Sequence, residues 1–242
     1  AHSHRHADQG AFAVISKTKG LLTPSGYFGH GYGTDHHMHW TNQTRAHNCL
    51  LVNGQGQPAR DHRTTAAISF LHQYPLYTET QADLTAAYPH VIAYTRHYIL
   101  VPPGLILIHD AVQTATPAAL DWLAHALSAP THNPADNTVT ISREPATLAM
   151  TVIHPTLTPT YAHTDAFNPD LNANVPPHLH VAMPKQYHMT WSIPQTPLTR
   201  LTAVLAVNEQ LPPITRADES ITLAYHNLAI TQNLLTGQIT IA

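Results

Sequence analysis

Short apolar runs alternate with polar positions along almost the whole chain, and Pro, Gly, Asn and Asp break them apart. Ile221, Leu223 and Tyr225 alternate with Thr222 and Ala224, the period-two pattern of a strand with one face buried. The same reading predicts strands over 11–16, 48–52, 66–72, 91–101, 105–112, 120–127, 138–142, 147–153, 188–193, 201–207, 221–225, 228–231 and 238–241. Pro102-Pro103-Gly104 reads as a hairpin connection, and Asn53-Gly54 as a tight turn. A short helix is expected only near Gln81–Ala87, ended by Pro89. The Pro-, Asn- and His-rich stretch 155–184 reads as a long loop. Neither a repeat nor a linker interrupts the pattern. The expectation is all-β: one domain over 1–242, an antiparallel β-sandwich of two large packed sheets with little helix.

Composition narrows the function. Charged residues make up 10% of the 242, against about 25% in an average domain. Lys occurs at positions 17, 19 and 185 only, and the formal net charge is −3. That is too little positive charge to neutralise a phosphate backbone, so nucleic-acid binding is not expected. No apolar run reaches the length of a membrane-spanning helix. The single cysteine, Cys49, rules out an intrachain disulfide. The chain opens on Ala-His-Ser-His-Arg-His, without Met or a signal-peptide pattern, which suggests that a natural N-terminal part precedes it.

Histidine is the outlier. Of 21 histidines, eight fall in the first 47 residues: His2, His4, His6, His30, His36, His37, His39 and His47. In an extended segment His4, His6 and Asp8 project to one face. Two imidazoles and a carboxylate suit metal binding or acid–base chemistry, and a solvated His-rich terminus is the plainer alternative. The segment around Tyr27 and Tyr32 interleaves Gly, Tyr and His. It suits a ligand-facing loop, where Tyr offers a flat face and a hydroxyl to a sugar. His47 precedes an apolar strand, a place where a lone histidine is more often structural.

Three motifs together resemble the C-terminal β domain of the heparinase II/III-like lyases, a group that includes oligoalginate lyases. They are His4-Arg5-His6-Ala7-Asp8, Gly20-Leu21-Leu22-Thr23-Pro24-Ser25-Gly26-Tyr27, and His47-Asn48-Cys49-Leu50-Leu51-Val52-Asn53-Gly54-Gln55-Gly56-Gln57. Weaker echoes are Ala82–Tyr88, the pair Arg96–Pro102 and Leu105–Asp110, and Asp121-Trp122-Leu123-Ala124-His125.

The resemblance implies β-elimination on a uronic-acid-containing polysaccharide, in a cleft shared with an N-terminal α/α toroid on the same or a companion chain. It implies His4 as a catalytic histidine and His6 and His47 as ligands of a structural zinc. The family's third ligand is an Asp at the position occupied here by Pro24, which has no ligating side chain. His36 is taken as its replacement, with Asp8 and His37 as the other candidates. Tyr27, Tyr32, Arg45 and Gln57 are candidates for the substrate-facing wall, Arg45 as a bidentate partner of a uronate carboxylate. The scarcity of Lys and Arg favours a weakly sulfated or unsulfated glycan. A periplasmic or secreted location follows from the resemblance. Two other classes remain: a non-catalytic carbohydrate-binding sandwich, and a cupin-like metalloenzyme. The latter expects a Glu soon after its HxH, whereas the first Glu here is Glu79.

Overall fold

A computed structural model describes residues 5–25, 33–166, 178 and 185–242. In chain order its strands are β1 (Val14–Ser16), β2 (Lys19–Leu22), β3 (Leu50–Val52), β4 (Ala67–Gln73), β5 (Thr78–Asp83) and β6 (Ala93–Val101). Then come β7 (Leu105–Gln113), β8 (Ala118–Ala126), β9 (Thr131–Asn133), β10 (Thr138–Arg143), β11 (Ala146–Ile153) and β12 (Thr160–Thr164). The last six are β13 (Tyr187–Thr196), β14 (Arg200–Val207), β15 (Ile214–Ala217), β16 (Ser220–Tyr225), β17 (Leu228–Asn233) and β18 (Ile239–Ile241). Helix is confined, among the described residues, to short turns such as His37–Thr41, Thr44–Ala46 and Thr85–Ala87.

An eight-stranded sheet, ordered β4-β5-β6-β7-β14-β11-β10-β9, forms the middle of the molecule. A four-stranded sheet, β12-β13-β8-β3, packs on one face through Tyr94, Ile108, Trp122, Met150, Trp191 and Leu205. The C-terminal sheet β15-β16-β17-β18 covers the other face through Ile99, Leu105, Leu107, Ile221, Leu223 and Ile230. The expected all-β architecture is present, but as three layers. The C-terminal strands do not join either large sheet; they cap the central sheet from outside. That is why β7 and β14 are buried on both faces and read as long apolar runs.

The Pro102–Gly104 connection joins β6 to β7, and Asn53 and Gly54 adopt positive φ in the turn after β3. Thr78–Asp83 is a correction: it is a strand, and only Thr85–Ala87 turns helically. Its sequence, Thr-Glu-Thr-Gln-Ala-Asp, lacks apolar alternation because Ala82 alone is buried. Backbone pairing on both sides with β4 and β6 holds it extended. Within the stretch expected as a long loop, β12 pairs with β13.

His109 sits between the central and C-terminal sheets, 2% exposed, with Nδ1 2.9 Å from Thr202 Oγ1. Burial pushes its imidazole from 6.5 down to about 4. Between those values the unfolded chain holds a proton that the folded chain does not. Stability therefore falls as pH drops from 6.5 to 4, by roughly 2–3 kcal/mol from this residue. Chemical denaturation across that range should show a shallower pH slope in His109→Gln. An unchanged slope would assign the dependence to other groups.

Candidate metal centre and substrate wall

The segment carrying His6 and Asp8 is not part of a sheet. It is latched to the domain by hydrogen bonds reaching far along the chain. Ala7 N donates to Asn42 O at 3.0 Å. The Gln57 side chain pairs with the Gln9 backbone in both directions: Gln9 N donates to Oε1 at 2.9 Å, and Nε2 donates to Gln9 O at 2.8 Å. Arg96 Nη1 and the Tyr98 hydroxyl both donate to Gly10 O.

Arg96 organises this latch. It is fully buried, and its Nε and Nη2 grip the two oxygens of Asp110 at 2.6 and 3.0 Å. Tyr94 and Trp122 also donate to that carboxylate. The same guanidinium donates to Asn48 O, so one cation ties residue 10 to the strand entry that follows His47. Asn48 completes the brace. Its Nδ2 donates to Phe12 O, and its Oδ1 accepts from His125 N.

Held in this way, the ligand atoms of His6, Asp8 and His47 lie within 4.8 Å of one another. The two imidazole centroids are 5.1 Å apart. His47 is 1% exposed, and burial pushes its imidazole down to about 4, which keeps it neutral. Its Nε2 lies 3.1 Å from Thr41 O, a partner that can only accept, so the proton belongs on Nε2. Nδ1 is then a buried lone pair with no hydrogen-bond partner. A ring fixed by a carbonyl on one nitrogen, with the other bare and facing a second imidazole and a carboxylate, is the donor set of a metal site. The residues present fit zinc.

Asp8, and not His36, joins His6 and His47 in the cluster. It lies two residues from His6 on the same extended segment, so it reaches the site regardless of Pro24. Neither His36 nor His37 belongs to the three-residue cluster. His37 stands beside it, 6.3 Å from the His6 ring. His4, Tyr27 and Tyr32 lie outside the described residues.

Gln57 is a second correction. It is buried, and its amide is taken up by the Gln9 backbone, so it braces the ligand segment rather than facing substrate. Arg45 is exposed on the Thr44–Ala46 turn. Beside it lie residues that sequence reasoning did not select: Trp40, His125 and His188. His125 Nε2 is 3.0 Å from Arg45 O and 2.7 Å from His188 Nδ1, and Trp40 stands edge-on to His188 at 5.4 Å. Burial, and then the nearby Arg45 guanidinium, hold His188 down at about 4. His125 was visible only as part of Trp122-Leu123-Ala124-His125. Its partner comes from the β8–β13 register, which sets His188 opposite it, 63 residues away.

The decisive comparison is with a family model described as heparinase II/III-like, C-terminal, which matches residues 1–169. The chain belongs to the heparinase II/III-like family. Among solved structures it is similar to the heparan sulfate lyase HepC from Pedobacter heparinus, with a TM-score of 0.70 and 14% identity over 99% of this chain and 37% of that one. It is also similar to the heparinase III BT4657 gene product, with a TM-score of 0.70 and 13% identity over 99% of this chain and 36% of that one. A further heparinase III structure gives a TM-score of 0.67 at 13% identity, covering 36% of that chain. At these identities the likeness is one of fold, and this heparinase-like chain spans little more than a third of each relative. No curated protein sequence matches it. Family membership removes the cupin-like alternative.

Proposed function

We propose that this heparinase-like chain is the β-domain part of a polysaccharide lyase that cleaves uronic-acid-containing glycans by β-elimination. The observation carrying this reading is the buried, unpartnered His47 Nδ1 beside His6 and Asp8, in a chain of this family. In the reaction a base takes the proton from C5, next to the uronate carboxylate. The electron pair forms the C4–C5 double bond, and the 4-O leaving group departs with a proton from an acid. Charge that builds on the carboxylate needs a fixed positive partner. Exposed Arg45 on the wall suits that role, with His188 and Trp40 behind it.

His4, two residues from His6, takes the part of the catalytic histidine. His6, Asp8 and His47 would hold a structural zinc, which when bound cross-links the ligand segment to the Thr44–Ala46 region. Burial and the latch hydrogen bonds then hold the segment from His6 to Gly10 against the domain that carries Arg45. An N-terminal α/α toroid, on the same or a companion chain, supplies the opposite wall. The scarcity of Lys and Arg points to a weakly sulfated glycan, and family membership to a location in the periplasm or outside the cell.

The test uses the full-length protein with uronate polysaccharides and reads the ultraviolet absorbance of the new double bond. His4→Ala should lower kcat by about 10²–10⁴-fold, and Arg45→Ala should chiefly raise KM. Saturable glycan binding with no unsaturated product would replace this reading with a non-catalytic binding module.

A further inference from the structure

A second concave surface lies on the opposite face of the central sheet. Along β6, Arg96 and Tyr98 point toward the latch at Gly10, so His97 points the other way. There, His97, Glu79 and Gln81 line a groove of about 410 Å³. Phe70 and Tyr77 line it too, and Thr236 to Thr240, from the turn after β17 into the start of β18, complete the lining.

The groove is built from ordered parts. Glu79 Oε2 is 2.9 Å from His97 Nε2, and Oε1 is 3.6 Å from His72 Nδ1. Phe70 is stacked on His72 at 4.9 Å, and Tyr77 on Tyr74 at 4.5 Å. Gly237 has positive φ and lies directly on the His109 ring, so no side chain at that position can intrude.

Flat aromatic faces suit the C–H face of a pyranose. A carboxylate oriented by two imidazoles keeps further lone pairs to accept vicinal hydroxyls, and the Gln81 and Gln238 amides both donate and accept. No Lys or Arg lines the groove, so a uronate or sulfate would meet Glu79 without a compensating cation. We propose that this groove is a second carbohydrate-binding site, separate from the histidine cluster, and that it takes an uncharged pyranose unit, a hexose or N-acetylhexosamine.

The test is a titration of the isotope-labelled 242-residue chain, followed by amide NMR, with triacetylchitotriose, cellotriose and a glucuronate-containing trisaccharide. Saturable shifts at Gln81, Gly237 and Gln238 with an uncharged probe are expected. Tyr77→Ala should weaken that binding about tenfold. Gln238→Trp, which fills the exposed rim, should weaken it similarly with an unchanged melting temperature. His6→Ala should leave it intact, which separates this site from the lyase reading. Absence of binding by both uncharged probes would overturn the proposal. So would undiminished binding in both groove variants, or tighter binding of the glucuronate probe at these amides.

Discussion

Replacing Arg96 with Met should lower the unfolding free energy by about 3–5 kcal/mol, the cost of leaving a buried charge without its partner. The guanidinium is wholly enclosed, and every one of its contacts is specific. Loss of it leaves Asp110 with only Tyr94 and Trp122 as donors, and strips a donor from Gly10 O and Asn48 O. Methionine fills much of the space, so the loss measures charge and hydrogen bonding more than a cavity. Urea denaturation gives the number. A decrease below about 1 kcal/mol would mean that water takes over the guanidinium's contacts, and that the clamp is not what joins the ligand segment to the sheet.

Metal content is the second large effect. Mass spectrometry of the purified chain should find close to one zinc per molecule, and His6→Ala, Asp8→Ala and His47→Ala should each lose most of it. Three protein ligands with a small molecule in the fourth position make a tight site, and two do not. His36→Ala is the informative control. It should retain the metal, because His36 is outside the cluster formed by the other three. Zinc lost in His36→Ala but kept in Asp8→Ala would restore the assignment made from sequence. No zinc in the parent protein would remove the metal centre altogether.

The parts of the fold legible in sequence were those where burial writes a pattern. β6, β7, β14 and β16 announce themselves because alternation or an unbroken apolar run is what their environment demands. β9, β12 and β15 are mostly exposed and polar, and β5 is polar and mostly half-buried, so only their neighbours define them. β2 was hidden differently, since Gly20 at the start of an apolar pair reads as a loop, whereas its partner β1 lies within the strand expected over 11–16.

At the site, His6 and His47 were legible because a motif fixes their spacing. The third member of the cluster, Asp8, was not, because the family position falls on Pro24 and only the fold decides which of three candidates comes close to the two histidines. Gln57 was misassigned since a conspicuous polar residue after a turn looks solvent-facing. Only the distance to Gln9, 48 residues away, shows its amide turned inward. The His125–His188 contact depends on strand register, which no local pattern carries.

The Arg96 clamp also sets an order of assembly. Its pairing with Asp110 lies inside one hairpin, 14 residues apart, whereas Gly10 O and Asn48 O arrive from 86 and 48 residues away. Closing the short loop costs less entropy than closing the long ones, so the hairpin forms before its far acceptors dock. The stretch bearing His6 and Asp8 is therefore the last to settle during folding and the first to open afterward. Amide protons at Ala7 and Ala11 should exchange with solvent well before those in the middle of β6 and β7, and the chemistry-bearing edge of the molecule breathes while its centre stays closed.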